Sequence, residues 1–209
     1  MTLIKFILLV FFLSWQAQSV YAEDVPGCGS LRNAYGPYDY TNSQHYEHYL
    51  PIVETAHFNR NVESLKGPAY ASGSLERDLD YTLRAFPNHH RALFAIMRYR
   101  EKHPATTGGR ARSAECYLKR ALRFKPDDGV VWMLYGIYNH RQKKYSEALD
   151  KYKNAEKLLK NNSELYYNMG LLYLDLGDIP MARKYADRAY KTGYPLPALR
   201  EKLKSIDQN

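Results

Sequence analysis

The fold is decided by two consecutive stretches of 34 residues each. Residues 129–162 read GVVWMLYGIYNHRQKKYSEALDKYKNAEKLLKNN, and residues 163–196 read SELYYNMGLLYLDLGDIPMARKYADRAYKTGYPL. When the second stretch is placed under the first, small residues coincide at three positions and aromatic residues at a fourth. The coincident pairs are Gly136 with Gly170, Ala148 with Ala182, Ala155 with Ala189, and Trp132 with Tyr166. Small residues at these spacings let two antiparallel helices approach closely, so each stretch predicts a helix, a short turn and a second helix.

This pattern resembles the tetratricopeptide repeat (TPR) family, whose unit is a helical pair of about 34 residues. The residues that carry the resemblance are Trp132, Gly136, Tyr145, Ala148, Tyr152 and Ala155, followed by Tyr166, Gly170, Ala182 and Ala189. The proline that the family places near the end of a unit is replaced by Lys160 in the first stretch, and Pro195 lies one place late in the second. The resemblance implies an all-α, helix-turn-helix solenoid of about three repeats, in which each repeat packs on its neighbours.

The same frame continues upstream with an interruption. Residues 114–126 carry the second-helix pattern and the final proline of an earlier unit, and residues 90–102 carry its first helix. This unit is longer than the others because the Pro- and Gly-containing loop 104–109 interrupts it. The predicted segments are a signal peptide (1–22), a Tyr-rich N-terminal extension (23–74), a degenerate half-repeat (75–89), three repeats (90–128, 129–162 and 163–196) and a capping helix (197–209).

The extension, residues 23–74, does not follow the repeat. Its tyrosines 35, 38, 40, 46 and 49 are residues of a kind common both at interfaces and in self-docked segments. One helix is predicted from about Ser43 to Leu65, kinked or started at Pro51. We expect the extension to pack on the first repeats, in or beside their binding groove, and to restrict access to it.

The first 22 residues have the features of an export signal. Lys5 supplies a positive charge, residues 6–13 form an apolar run of eight, and Val20-Tyr21-Ala22 has the small residues of a cleavage site. The run is too short to span a bilayer stably. A retained signal anchor is the alternative, and lipid attachment at Cys28 is disfavoured because that cysteine lies far beyond the apolar run. We therefore predict an exported, bacterial-type protein, periplasmic or secreted, without a transmembrane span after signal removal.

Export makes a disulfide permissible, and the two cysteines, Cys28 and Cys116, are the candidates. A bond between them would close a long loop, which stabilises the folded state by roughly 4 kcal/mol on the chain-entropy model. The alternative is a pair of free thiols, with Cys116 buried in a helix. The sequence leaves both possibilities open.

The composition is that of a globular protein with a substantial core. Hydrophobic residues make up 45% and charged residues 25%, which excludes a disordered or collagen-like chain. The formal charge of +8 is unevenly distributed: residues 84–125 contain eleven Lys and Arg against two Glu, whereas residues 23–83 contain nine acidic and four basic residues. An exported protein meets little nucleic acid, so none is predicted as a partner. We expect the acidic extension to dock on the basic first repeat, whose surplus charge would attract an acidic partner.

Patterns for catalysis and metal binding are weak. His45, His48 and His57 do not form a convergent set of three or four ligands, so no metal or cofactor is predicted. The sequence has no nucleophile elbow, phosphate loop or haem-attachment motif, so no enzymatic activity is predicted. The alternative is an enzyme whose site lies between the extension and the first repeat. Its candidate residues are His57, Asp78, Asp80, His89 and His90.

TPR arrays bind an extended or helical peptide in a concave groove lined by the first helix of each unit, and the resemblance transfers that role to this chain by phase. The transferred positions are Arg91, Phe94, Arg98 and Lys102 in the first repeat, Met133, Ile137, His140 and Arg141 in the second, and Tyr167, Asn168, Leu171 and Asp175 in the third. The carboxylate-clamp subgroup of the family uses Lys, Asn and Arg at set groove positions. Here Phe94, Leu134 and Glu164 replace three of them, which argues against a chaperone-tail adaptor.

These observations predict an exported, non-catalytic scaffold or adaptor that binds a peptide or helix of another protein in the groove. The alternative from a different class is recognition of an anionic envelope polymer or lipid through residues 84–125. The two differ in their response to salt, because binding of a polyanion weakens steeply as the ionic strength rises.

Overall fold

The structure is a computed structural model that describes residues 27–69, 73–105, 112–206 and 208. The predicted signal peptide, residues 1–22, lies outside the described residues. Within the described ranges the chain forms eleven α-helices. In chain order these are α1 (Ser43–His48), α2 (Leu50–His57), α3 (Arg60–Glu63), α4 (Leu75–Ala85), α5 (His90–Lys102), α6 (Ala114–Phe124), α7 (Gly129–Arg141), α8 (Tyr145–Leu158), α9 (Ser163–Asp175), α10 (Ile179–Lys191) and α11 (Ala198–Ile206).

The two 34-residue stretches form the helical pairs α7–α8 and α9–α10, and the turn inside each pair has the same geometry. Lys143 and Gly177 hold equivalent places in these turns, with positive φ angles of 59° and 77°. The amide after each of them donates to the carbonyl oxygen five residues earlier, at 2.9 Å in both turns. The local backbone therefore repeats with the period of the sequence.

The first helix of each repeat begins at an equivalent residue whose side chain caps it. The capping residues are His89 before α5, Asp128 before α7 and Asn162 before α9. The carboxylate of Asp128 accepts hydrogen bonds from the amides of Val130 and Val131, at 3.1 and 3.2 Å. Caps of this kind satisfy amides that have no partner within the helix, so they define where each helix starts.

Small residues explain how closely the paired helices pack. Gly136 of α7 faces the ring of Tyr152 on α8, and a Cβ atom at this position would overlap that ring. Ala148 and Ala155 of α8 are completely buried. The coincident Gly and Ala positions of the two stretches are therefore the contact points of the helical pairs.

The two larger hydrophobic cores of the described residues share α7. The proximal core is built from α3 to α7, and its largest members are Phe58, Leu79, Leu83, Leu93, Ile96, Tyr117 and Leu118. The distal core is built from α7 to α11, and its largest members are Met133, Tyr152, Leu165, Tyr166, Met169, Leu172, Tyr173 and Tyr185. The helix α7 places Val131 and Leu134 in the proximal core and Met133 in the distal core, so it contributes to both.

The prediction of one helix from Ser43 to Leu65 is wrong, since three short helices replace it. The break after α2 has a local cause: Asn59 has an extended backbone, and its side chain caps α3 by accepting from the amides of Asn61 and Val62. The segments α2 and α3 lie against α4, with Leu50 and Val53 packed on the end of that helix. Together with α4 they complete an irregular helical pair in front of the first repeat.

The start of the described extension is attached covalently to the first repeat. Cys28 and Cys116 form a disulfide across 88 residues of sequence, which ties residue 28 to α6. Beside it, the guanidinium of Arg112 donates to the carbonyl oxygen of Cys28 at 2.9 Å. The fully buried Arg120 donates to the carbonyl oxygens of Gly29, at 2.9 Å, and of Ser30.

Opposite charges also hold the extension on the first repeat. Glu54 and Glu63 both pair with Arg91 on α5, at 3.0 and 2.6 Å. Asp39 lies 3.6 Å from the ammonium group of Lys125, beyond the end of α6. Part of the basic surplus in residues 84–125 is thus neutralised within the molecule.

Candidate protein-interaction face

The first helices of the three repeats, α5, α7 and α9, form one face of the solenoid, called here the A-helix face. Ten of the twelve transferred positions are at least partly exposed on it. Met133 and Tyr167 are buried, with 3% and 7% of their surfaces accessible. Met133 lies in the distal core, and Tyr167 stacks on Tyr194 with ring centres 4.1 Å apart. These two side chains support the face from below.

The part of this face on α5 combines an exposed aromatic ring with cations. Phe94 is 40% exposed, an unusual state for a large apolar side chain in the middle of a helix. Arg98, one turn later, holds its guanidinium carbon 5.9 Å from the centre of that ring. Lys102 follows after another turn. Within the described residues, Arg98 and Lys102 form no ion pair, so both remain available to an external anion.

A cavity of about 390 Å³ opens beside these cations. Arg98 and Lys102 contribute positive charge to its wall, Arg141 is paired there with Glu101, and Leu65 and Tyr99 contribute apolar surface. Leu65 belongs to the extension, so the cavity is enclosed jointly by the extension and the first repeat. This composition suits a ligand group that carries negative charge next to an apolar part.

Two ion pairs connect neighbouring helices on the A-helix face. Arg141 of α7 pairs with Glu101 of α5 at 3.0 Å, and His140 of α7 pairs with Asp175 of α9 at 2.9 Å. Arg141, Glu101 and Asp175 are exposed, so these bridges contribute little to stability. They show that α7 lies beside α5 on one side and beside α9 on the other.

The extension occupies the end of the A-helix face at Arg91. The two carboxylate oxygens of Glu63 accept hydrogen bonds from this guanidinium, and these hydrogen bonds raise the pKa of Arg91 and lower the pKa of Glu63. Glu54 joins them and also accepts a hydrogen bond from His89 at 3.0 Å. Arg91 is therefore already bound to the protein's own carboxylates.

The candidate catalytic residues are separated into different contacts. His57 pairs with the buried Asp78 at 2.9 Å, and His90 pairs with Asp128 at 2.9 Å. His89 is fully buried, and burial lowers its pKa below the usual value. Asp80 accepts hydrogen bonds from two arginines and a tyrosine. Its partners are Arg84, Arg112 and Tyr117. The structure thus brings His57 to Asp78, whereas Asp80, His89 and His90 contact other residues.

A second candidate surface lies at the far end of the solenoid and was missed from the sequence. Lys191 of α10 and Arg200 and Lys204 of α11 surround a cleft between these helices. The sequence signal for this cleft is the 34-residue period. It aligns Arg200 with Tyr166 and Lys204 with Gly170.

Comparisons with known proteins agree with this architecture. Residues 139–177 match the family model described as a TPR repeat. A solved structure described as the functional characterization of Pseudomonas aeruginosa PilF superimposes with a TM-score of 0.55 and 17% sequence identity, covering 79% of this chain and 70% of that one. The search of curated proteins finds no match. At this identity the structural likeness concerns the fold alone.

Among the described residues, no helix has the length and apolar character needed to cross a bilayer. The same part of the chain holds no cluster of three or more His, Cys, Asp or Glu side chains able to hold a metal ion. The predicted all-α TPR solenoid is confirmed. The chain carries a tetratricopeptide repeat, at residues 139–177, within a solenoid of stacked helical pairs.

Proposed function

We propose that this protein is an exported scaffold that binds a segment of another protein along the A-helix face. TPR repeats are typically non-catalytic modules for protein–protein interaction, and the fold is of that type. The observation that carries the proposal is the exposed ring of Phe94 beside the cations of Arg98 and Lys102. An aromatic anchor with adjacent charge is typical of the centre of an interface.

The chemistry of this region favours a partner segment with an apolar side chain flanked by carboxylates. The apolar side chain would cover Phe94. The carboxylates would pair with Arg98 and Lys102 at the mouth of the cavity. Further along the face, Ile137, Asn168 and Leu171 provide apolar and hydrogen-bonding contacts with less charge. The bound segment would therefore be acidic at the end that meets the first repeat.

Site-specific photo-crosslinking in cells that express the full chain tests this proposal. A photoreactive amino acid at Phe94 should capture a discrete protein partner, and Arg98→Glu with Lys102→Glu should reduce the yield. The matched control is the same amino acid at Lys153, an exposed position on α8, outside the A-helix face. If both positions give the same products, or Phe94 gives none, the proposal is wrong.

Export is a separate part of the proposal, supported by the signal-like N-terminus and by the Cys28–Cys116 disulfide. Mass spectrometry of the protein isolated from cells should find a mature N-terminus at Glu23. A chain that keeps Met1 and is recovered with cytoplasmic proteins would contradict export. That result would leave the binding function of the A-helix face untouched.

A further inference from the structure

The cleft between α10 and α11, called here the terminal cleft, has a volume of about 720 Å³. Its floor is apolar, from Ala186 and Leu203, which are each 4% exposed, and from the ring of Tyr190. Its rim carries the exposed cations of Lys191, Arg200 and Lys204. Within the described residues, none of these three cations forms an ion pair.

In the preceding repeat, a helix fills the corresponding cleft. One unit earlier, the equivalent positions on α8 and α9 include Glu156, Tyr166 and Gly170, and α10 itself packs on them. Tyr185 of α10 donates to Glu156 at 3.1 Å, and the guanidinium carbon of Arg188 lies 3.8 Å from the centre of the Tyr166 ring.

The backbone of α10 also passes directly over Gly170. A Cβ atom on this glycine would lie 3.4 Å from the carbonyl oxygen of Ala182 and 3.4 Å from the amide nitrogen of Ala186. The buried pattern carries over to the end of the chain, since Leu199 and Leu203 of α11 are buried like Leu165 and Met169 of α9. The terminal cleft thus corresponds to the surface of α8 and α9 on which α10 packs.

The side chains that line the terminal cleft differ in charge from those at the equivalent position on α8 and α9. A helix that binds in the terminal cleft must therefore differ in charge from α10. Where the earlier unit has Glu156, Tyr166 and Gly170, the terminal cleft has Tyr190, Arg200 and Lys204. The earlier carboxylate receives the cation of α10, whereas the terminal cations require carboxylates from whatever packs on them. The pattern of charge is therefore reversed.

The cation nearest the floor is held in place before any ligand arrives. The guanidinium carbon of Arg200 lies 4.1 Å from the centre of the Tyr190 ring. The hydroxyl of Tyr190 accepts from the amide of Arg200 and donates to the carbonyl oxygen of Leu196, both at 3.1 Å. An ordered cation costs less entropy on binding than a free side chain does.

We infer that the terminal cleft binds an acidic amphipathic helix of another protein, at the position that α10 takes one unit earlier. Apolar residues of that helix would cover Ala186, Tyr190 and Leu203. Carboxylates spaced by one helical turn would match Arg200 and Lys204, which are themselves four residues apart on α11.

Two observations favour such a helix over an anionic bilayer or polymer. The cations stand on both walls of a concave cleft, and a flat membrane surface cannot enter it. Asp187 also lines the cleft, one turn before Lys191 on α10, so a uniformly charged polyanion would meet repulsion there. A helix can place carboxylates beside the cations and a neutral residue beside Asp187.

The test uses the full protein and a synthetic amphipathic peptide of about 15 residues, with Leu and Ala on one face and Glu at four-residue spacing. Fluorescence anisotropy should detect binding to the wild type. Lys191→Glu with Lys204→Glu should weaken binding by about tenfold or more, because two attractive contacts become repulsive. The matched control is Lys153→Glu with Lys160→Glu, which makes the same change in net charge at exposed positions outside the cleft. It should change binding less than about twofold.

Each contrary result overturns the inference in a recognisable way. Equal weakening by both double variants would mean that general charge attraction is being measured. Equal binding by a peptide of the same composition with a central proline would mean that a helix is not required. Loss of binding in Arg98→Glu with Lys102→Glu instead would place the peptide on the A-helix face. Binding to phosphatidylglycerol vesicles without binding to the peptide would make the terminal cleft a lipid site.

Discussion

Lys143 and Gly177 occupy equivalent turns, and only glycine adopts a positive φ angle without strain. Replacing Lys143 by glycine should therefore raise the free energy of unfolding by about 1 kcal/mol. Gly177→Ala should lower it by a similar amount, because a Cβ atom there meets no neighbour and the cost comes from the backbone alone. Urea denaturation of the two variants measures both effects. A destabilising Lys143→Gly substitution would show that the lysine side chain contributes more than the strain it causes.

His89 makes the stability of the protein depend on pH. Burial lowers its pKa, partly opposed by the hydrogen bond to Glu54, so the folded state holds this proton less tightly than the unfolded state does. The contribution is fully present above the unfolded pKa of about 6.5 and is lost progressively as the pH falls below it. The free energy of unfolding should therefore decrease from pH 7 to pH 5.

The variant His89→Asn separates this effect from other titrations. Asparagine keeps a capping side chain of the kind seen at Asn162 but carries no titratable group. Its free energy of unfolding should decrease less between pH 7 and pH 5 than that of the wild type. Parallel pH profiles for the two proteins would assign the dependence to other groups.

Close contact between α7 and α8 depends on the absence of a side chain at residue 136. In Gly136→Ala the new methyl group would collide with the Tyr152 ring, which is fully buried and has no free direction to move. We expect a loss of about 2 kcal/mol in the free energy of unfolding, as for other overpacked cores. Gly170→Ala is the matched comparison, since its nearest neighbour is the end of the Leu199 side chain, which is also buried but is more flexible than the Tyr152 ring. Thermal unfolding should rank Gly136→Ala as the less stable variant.

The helices that repeat could be predicted from sequence, because the 34-residue offset fixes both their phase and their contact residues. Gly136 and Gly170 mark that offset directly. The extension has no period, so the cap at Asn59 that divides its predicted helix was not recognised. The helical phase of the repeat also assigns Met133 and Tyr167 to the groove, although contacts with neighbouring helices bury both side chains. Such burial depends on side chains far away in sequence, and a helical phase carries no information about them.

For the same reason, the sequence alone does not decide whether Cys28 pairs with Cys116. The two residues are 88 positions apart, and only the path of the extension brings their Cα atoms to 5.3 Å. The same segment also contacts Arg120. Full burial of this side chain is unexpected for an arginine. The number and location of the helices follow from sequence, whereas the attachment of the extension follows from tertiary structure.

The order of the two cores along the solenoid predicts how the whole molecule responds to loss of the disulfide. Cys116→Ser removes the loop closure that spans α1 to α6, worth about 4 kcal/mol on the chain-entropy model. In a repeat protein each unit is stabilised mainly by its neighbours, so the loss should weaken the proximal core most. Hydrogen exchange should show a larger loss of protection in α2 to α5 than in α9 and α10.

The fluorescence of Trp132 provides a second measurement on the Cys116→Ser variant, because Trp132 lies on α7, the helix that both cores share. Its indole nitrogen donates to the carbonyl oxygen of Pro126 at 2.8 Å, and its ring packs on the distal core. In Cys116→Ser, early unfolding of the extension should leave Trp132 fluorescence unchanged until the distal core melts. Cys28→Ser should behave identically, since it removes the same bond. If α9 and α10 lost protection first in either variant, the disulfide would be stabilising the molecule by a route other than the proximal core.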